Sequence, residues 1–426
     1  MTTSQRKLIA AIVAATLVTL AFVIADLATG GRPDPPELRA QATLLNGSWR
    51  FHTGDNPHWA DANTDDHDWE TISLTATPGS HDSDVGLPDY VGGWMAHGHR
   101  GYTGYAWYRL ALDVPSGRES WDILGPTLVE DAYELYWNGQ LLGGSGRLRA
   151  PPRVVGTRPE RFALPAAAAG TRGVLAVRVF MLKRSAPSAD GGGLHSAPML
   201  APRPIGDALH RAQWQRTIAG YVVDAAEPLA MFALIILALW CWPRSSQKGF
   251  LIFACVALAL TAARRLNNAI VSWTDVMDLR TYSWLAKVMW IPTVAAWTMA
   301  WNRWSRRPWR SIDVLASGLA VADLFGVFSP APDVTNASRL ASIALFVVIG
   351  VRIGRGGKMR IVALVTMALI MAVTFGELLD PIGVPGIWFP FGIGVSRSQY
   401  IYAVAIPLLA VLTVRTLPSE APVRTA

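Results

Sequence analysis

Two textures alternate along the chain, and they predict two kinds of element. Long apolar runs occupy Leu8–Ala28 and seven stretches after Arg216: Ala219–Trp242, Gly249–Ala263, Leu285–Trp301, Ser311–Phe328, Leu340–Ile353, Ile361–Phe375 and Tyr400–Val414. A helix needs roughly 20 apolar residues to cross about 30 Å of hydrocarbon, so the shorter runs are expected to extend into flanking polar residues. Lipid tolerates only backbone that satisfies its own hydrogen bonds, which makes these runs candidate spanning helices. Between Gly30 and Ala212 the texture changes to short alternating segments broken by Gly, Pro and Asn. Tyr108, Leu110, Leu112 and Val114 alternate with Trp107, Arg109, Ala111 and Asp113; Val177, Val179 and Met181 alternate with Arg178 and Phe180. Period two with turn breaks predicts β-strands of a sandwich. Asn138-Gly139, between Tyr133–Trp137 and Gln140–Leu142, predicts a tight hairpin, because both residues tolerate positive φ.

The expected organisation is therefore an anchor helix over residues 1–29, an exported β-sandwich over 30–212, seven transmembrane helices over 213–415 and a short tail over 416–426. A cleaved signal peptide shares the layout of the first run, with Arg6 and Lys7 before it. The length of the run, and the lack of a clean small-x-small site before Gly30, favour an uncleaved anchor. Pro33, Pro35 and Pro36 read as a stiff spacer, and Ile205–Arg216 as a helix feeding the second span.

Charge orients the runs. Arg244 and Lys248 fill one connection, Arg303, Arg306, Arg307 and Arg310 the next alternate one, and Arg352, Arg355, Lys358 and Arg360 a third. With Arg415 they fall on the side of Arg6 and Lys7 if the spans alternate. Ser329–Ser338 and Glu377–Ser396 on the opposite side carry no basic residue. Arg264, Arg265 and Arg280 are exceptions, in a connection that also holds Asp275 and Asp278. The positive-inside rule then puts both termini in the cytoplasm of a bacterial-type inner membrane and the sandwich in the periplasm. Composition agrees: 51% of the 426 residues are apolar and 16% charged, too oily for an ordinary soluble enzyme. Topology also accounts for the net charge of +7, and no basic stripe with interleaved aromatics points to nucleic acid. Cys241 and Cys255 both lie in apolar runs, so the exported part has no disulfide, and no Cys/His spacing suggests zinc or another cofactor.

Four segments of the exported part, in order, resemble the sugar-binding jelly-roll domain of family-two glycoside hydrolases. They are LNGSWRF (Leu45–Phe51) followed by Asp65, Asp66, Trp69, Glu70, Thr71 and Ile72; GYAWYRLALDVP (Gly104–Pro115); DAYELYWNGQLLG (Asp131–Gly143); and LAVRV (Leu175–Val179). The resemblance implies a galactose-binding-like jelly roll. The whole layout also resembles the bacterial seven-transmembrane receptors with diverse intracellular signalling modules, which implies a sensor of a carbohydrate-like or other small ligand. Only about twelve residues follow Val414, so the output module of that family is not expected in this chain and any signal is expected to pass to a separate cytoplasmic partner.

Catalysis is not expected. Glycoside hydrolysis needs two carboxyl groups facing each other across the bond, whereas Asp65/Asp66 and Glu130/Asp131 are sequence neighbours, which a strand points to opposite faces. Gly191–Gly193 lacks the Lys and helix of a phosphate loop. A sugar site asks for an aromatic face with fixed polar groups. The loops Tyr90–Tyr105 and Gly191–Pro198 supply candidates: Trp94, His97, His99, Tyr102, Tyr105 and His195, with Asp131, Arg147 and Arg149 nearby in the pattern. The competing reading is that these aromatics cap the core. Trp49, Trp69, Trp107 and Trp137 are expected in it. Trp240, Trp242, Trp273, Trp284, Trp301, Trp304 and Trp309 read as interfacial anchors. Asp224, Glu227, Arg264, Arg265, Asn267 and Asn268 stand at span ends, with Asp323 inside a span and Glu377 and Asp380 after one. Ionisable groups at membrane depth are expensive unless paired, so Arg264 or Arg265 is expected to meet Asp224 or Glu227 near the outer face. Sensing is the leading function; a membrane tether, or a transporter or accessory subunit of a carbohydrate-handling system, is the alternative. Pro292 and Pro407 offer places where a transporter's helices would break, but the chain has no matching halves.

Overall fold

The computed structural model describes residues 34–80, 89–117, 119–156, 158–183, 189–305, 307–328, 332–356, 359–376 and 396–418. The first apolar run, Pro33, Arg306, Lys358, Glu377 and Asp380 lie outside them. The described chain divides into two compact units. One holds the residues up to Gly220 together with Ile270–Thr281, and the other holds Tyr221–Ala269 and the residues from Tyr282 onward.

The first unit is a β-sandwich. Six strands, β2 (Ser48–Thr53), β3 (Glu70–Ser73), β4 (Gly104–Asp113), β7 (Ala132–Trp137), β8 (Gln140–Ser145) and β10 (Arg172–Met181), form a sheet in the order β3-β2-β4-β10-β7-β8. Four more, β1 (Thr43–Leu44), β5 (Trp121–Leu124), β9 (Arg161–Ala163) and β12 (Met199–Pro202), form the order β1-β12-β5-β9. A two-stranded ribbon pairs β6 (Val129–Glu130) with β11 (Gly193–Leu194). Trp49, Phe51, Tyr108, Ile123, Leu135, Val177 and Leu200 meet in the buried core. Asn138 and Gly139 adopt φ of 47° and 86° and join β7 to β8 with Trp137 opposite Gln140.

The outward face of the six-stranded sheet differs from the simple alternation. Trp107 and Arg109 point away from the core yet are wholly buried, because the stretch between β2 and β3 folds over that face. Trp69 and Trp107 thus belong to a second apolar cluster, with Ala60 and Ala176, rather than to the sandwich interior. Trp49 and Trp137 lie in the main core as expected.

Among the described residues seven helices follow β12: α1 (Arg203–Cys241), α2 (Lys248–Trp273), α3 (Leu279–Trp304), α4 (Arg310–Phe328), α5 (Pro332–Gly354), α6 (Arg360–Thr374) and α7 (Arg397–Arg415). Among the described residues four, α1, α2, α5 and α7, are long and apolar enough to cross a membrane, and α6 is apolar but shorter. Leu234, Phe250, Leu258, Trp297, Phe346, Ile370 and Leu409 share one buried core.

Helix ends reach further than hydropathy suggested. Arg264 to Asn268 lie inside α2 and not at its end, Asp224 and Glu227 lie well inside α1, and α5 already contains Pro332–Ser338, expected as loop. A helix continues through charged residues when those residues find partners, which an apolar window does not register. Pro292 and Pro407 sit within continuous helices and break neither. Trp301, expected at an interface, is fully buried against Phe250 and Trp297.

Candidate functional site

The two aromatic loops of the β-rich unit are zipped together by backbone. Gly93 N–H donates to Asp190 O (2.7 Å), Trp94 N–H to Gly192 O (2.9 Å) and Val91 N–H to His195 O (2.9 Å). Trp94 is therefore part of the core, its indole N–H donating to Tyr102 O at 3.1 Å. Gly193, at φ 86°, lies so close that an added Cβ would stand 2.1 Å from the Tyr108 hydroxyl. The buried His195 ring stacks on Tyr90 at 5.0 Å. Asp131, also buried, accepts from Leu182 N–H at 2.8 Å. These three candidates hold loops in place and present no face to a ligand.

The remaining candidates do not converge. His99 sits 2.9 Å from a Glu70 oxygen and against the Phe51 ring. Tyr102 donates to Tyr105 O (2.5 Å) and accepts from Gly54 N–H (3.0 Å). Burial pushes both the Tyr102 and Tyr105 hydroxyls above the usual phenol range. His97, Arg147 and Arg149 are exposed. The carboxylate neighbours are structural as well, but not for the reason of strand alternation. Asp65 and Asp66 stand in a loop, where Asp65 meets His67 at 2.8 Å while Asp66 takes Arg109. Glu130 accepts from Gly192 N–H at 2.7 Å.

What sequence reading missed is the array on the outward sheet face. Strand register sets Arg178 of β10 between Trp107 of β4 and Glu134 of β7. Its guanidinium donates to both Asp55 oxygens (2.8 and 2.5 Å) and to Glu134 (3.1 Å), and lies 4.7 Å from the Tyr105 ring. Burial works against the Arg178 charge, but the two carboxylates more than offset it and hold the group above its ordinary value. The Tyr136 hydroxyl, raised first by burial and then by the neighbouring carboxylate, donates to Glu134 at 2.7 Å. Alternation of Arg178 with apolar neighbours marked the face, but only the fold brings Asp55 onto it.

Arg109 performs the neighbouring fastening. Its Nε donates to Asp66 at 2.8 Å, and its other donors reach the carbonyls of Trp59, Asp61 and Thr64. Two of the family-like segments, DD and WYR, are thus joined by one guanidinium. Beside it a cleft of 590 Å³ opens, with Arg50, Thr64, Asp66 and Thr71 on its walls. A second, smaller cleft of 160 Å³ is edged by Asn46, Thr75, Thr127 and Ser196. Hydroxyl groups stand among apolar side chains on the walls of both, a mixture that suits a polyhydroxylated solute.

The helical unit carries a different constellation. Arg265 of α2 is buried, with Nε 2.8 Å from Glu227 and a terminal nitrogen 3.6 Å from Asp224, both on α1. It also donates to the Ser398 hydroxyl on α7 at 2.6 Å, and Asn268 donates to Asp224 at 2.8 Å. Of the polar residues expected to cluster, Asp224, Glu227, Arg265 and Asn268 come together. Arg264, one position on, does not join the carboxylates; among the described residues it has no hydrogen-bond or ion-pair partner. Asn267 faces elsewhere, donating to Tyr282 O at 3.1 Å. Asp323 accepts from Ser338.

No family model matches the chain, and no curated protein does. Among solved structures it is similar to Bacteroides uniformis beta-glucuronidase 2, at 25% identity and a TM-score of 0.28, over 38% of this chain and 17% of that one. A glycosyl hydrolase family 2 member from Bacteroides cellulosilyticus aligns at 18% identity and a TM-score of 0.26, over 38% of this chain and 20% of the other. Faecalibacterium prausnitzii beta-glucuronidase aligns at 15% identity and a TM-score of 0.25, over 38% and 31%. The chain thus spans 17% to 31% of the lengths of these proteins. Their names fall in the hydrolase class whose jelly-roll domain the four segments resemble, but superpositions this loose assign no chemistry.

Proposed function

We propose that the protein is a membrane sensor. Its β-rich unit, a jelly roll on the periplasmic side, binds a carbohydrate-like or other small ligand, and seven crossings carry the consequence to a cytoplasmic partner. One observation supports this most. The two helices that supply the Asp224, Glu227 and Arg265 cluster, α1 and α2, both continue along the chain into the β-rich unit. α1 starts directly after β12, and its Leu209 is buried with Leu124, Met199 and Ala201. The residues Ile270–Thr281 after the body of α2 belong to the same unit, where Leu279 N–H donates to Val154 O at 2.9 Å. A shift of either attachment on ligand binding would be felt at a charged cluster that is costly to leave unpaired.

Reading all seven helices as crossings draws support from their outward faces. Leu229 and Ile236 of α1, Val314, Val321 and Phe325 of α4, and Leu340 of α5 are large apolar side chains left exposed. Water penalises such stripes and hydrocarbon does not.

The test uses full-length protein in nanodiscs, screened by thermal shift against neutral and acidic oligosaccharides. A ligand that raises the melting temperature is then followed by hydrogen exchange in α1 and α2. Sensing predicts that exchange changes there, that Arg265→Glu abolishes the change, and that Arg265→Glu with Glu227→Arg restores it. A tether would bind the ligand and leave α1 and α2 unaltered. No shift across a broad glycan panel would remove the carbohydrate part of the reading.

A further inference from the structure

The 160 Å³ cleft of the β-rich unit is walled partly by α1. Asn46 reaches it from the turn before β2, Thr75 from just after β3, Thr127 from before β6, Ser196 from after β11, and Gln213 and Arg216 from α1. The charges on its walls are matched. Arg216 meets Asp34 at 3.0 Å, and Arg39 pairs with Asp89. The neutral groups are not matched. Gln213 is buried, and its Nε2 donates to Asp34 at 3.3 Å, while its buried Oε1 accepts from no group among the described residues. The Asn46 amide makes no hydrogen bond among them either. Thr75 Oγ1 accepts from Gly47 N–H at 3.1 Å, and Ser196 Oγ accepts from Thr127 and Leu128 N–H at 3.0 and 3.2 Å. Each of these hydroxyls keeps its own proton to donate. Leu74 and Met199, both buried, supply apolar surface on the same walls.

We propose that this cleft holds one neutral sugar ring, and that Gln213 of α1 accepts a hydrogen bond from one of its hydroxyls. The inference rests on the sensing reading and gives its ligand a place and a class. A buried acceptor left unpaired is costly, and a hydroxyl donor removes that cost. With the ion pairs closed, an acidic or amino ligand would enter without a counter-charge, which desolvation penalises. The amide and hydroxyl groups that remain both donate and accept, as ring hydroxyls do. Apolar walls with a few placed polar groups suit the C–H face of such a ring. A cavity of about 150 Å³ is enough for one six-membered ring. The cleft opens at Asn46 and Thr75, which are exposed, so ring substituents have a way out there. α1 runs from Arg203 to Cys241 and carries Asp224 and Glu227 further along. A ligand at Gln213 therefore touches the same helix that holds both carboxylates of the charged cluster.

The experiment uses full-length protein in phosphatidylcholine nanodiscs. Glucose, galactose, mannose and xylose are the probes, with glucuronic acid and glucosamine as charged counterparts. The melting temperature should rise with the concentration of at least one neutral sugar, and the charged counterparts should act at least about tenfold more weakly. Gln213→Leu and Asn46→Ala should each weaken the apparent affinity about tenfold, the loss of one hydrogen bond. General stabilisation by an excluded sugar would act on every variant alike. Asn46 is exposed, so its substitution leaves the fold standing even where that of Gln213 does not. A neutral sugar whose effect is unchanged in either folded variant, or a charged counterpart that binds more tightly than its neutral form, overturns this inference and leaves the sensing reading standing. No response to any probe overturns the inference as well, and the oligosaccharide screen then decides the sensing reading separately.

Discussion

The two units bury arginine in opposite ways. In the β-rich unit Arg109 spends its donors on Asp66 and the carbonyls of one covering loop, and Arg178 lies between Asp55 and Glu134. Each guanidinium fastens covering chain to the sheet, and Asp55 and Glu134 accept further hydrogen bonds from the Trp107 indole and the Tyr136 hydroxyl. In the helical unit Arg265 joins α1, α2 and α7 at one point, with Glu227 near enough for an ion pair though not aligned for a hydrogen bond. Beside it Arg264 makes no hydrogen bond or ion pair among the described residues. The contrast teaches that a buried arginine is a fastener where its donors are saturated by one segment. Where it ties several elements together, it is placed to respond.

That comparison can be broken most severely at Arg109. Arg109→Met leaves the half-buried Asp66 and the loop carbonyls without their donor and should destabilise the β-rich unit by about 3 kcal/mol, the loss of charge-assisted hydrogen bonds. Chemical unfolding of the full-length protein, followed by circular dichroism in the β-sheet region, measures it; a loss below about 1 kcal/mol would mean Arg109 fastens nothing. Gly193→Ala should cost about 2 kcal/mol by overpacking, since its methyl group meets the Tyr108 hydroxyl and the Trp94 ring. The same unfolding experiment reads that loss, and Gly193→Ala in a Tyr108→Phe background should recover part of it.

The helical cluster predicts a different outcome. Replacing it whole with neutral groups, Asp224→Asn, Glu227→Gln and Arg265→Met together, should change stability by no more than about 1 kcal/mol, since neutralising an entire buried ion cluster is often near neutral. The ligand-dependent exchange change in α1 and α2 should nevertheless vanish. Retention of that change in the triple variant would make the cluster a fastener too and erase the contrast.

The smallest effect concerns Glu160. Burial holds its carboxyl above the ordinary range, with Arg158 opposing and Asp275 adding to the shift. The folded state thus binds this proton more tightly than the unfolded chain. The favourable contribution is full at pH below the ordinary carboxylate value and is lost as pH rises through the raised one. Glu160→Gln should therefore match the native protein in acid and exceed it at neutral pH, by less than about 1 kcal/mol. A melting-temperature series against pH checks the crossing.

Much of the architecture was legible in the linear chain because periodicity is a local property. The Asn138-Gly139 hairpin, the alternation along β4 and β10, and four helices long and apolar enough to cross a membrane follow from spacing alone. The meeting of Arg265 with Asp224 and Glu227 was legible too, since charge inside an apolar run must find a partner. The ligand-site candidates were not. Trp94, His195 and Asp131 have the chemistry of recognition, and nothing in their spacing reveals that Gly191–Gly193 seals the loop over them. Helix ends were misjudged for a related reason. Hydropathy scores a residue without its partner, so Arg264 to Asn268 looked like an end.

What the amino-acid order determined by itself is the kind of element each stretch forms and which stretches are apolar, because both depend on neighbours a few residues away. Tertiary structure alone decided that the outward face of the six-stranded sheet is covered, that Asp55 reaches Arg178, and that Gln213 of α1 lines one cleft with Thr127 and Ser196. Those contacts join residues far apart in the chain, as Arg178 and Asp55 are at 123 positions. Their existence depends on how whole elements settle against each other, and no local pattern encodes it.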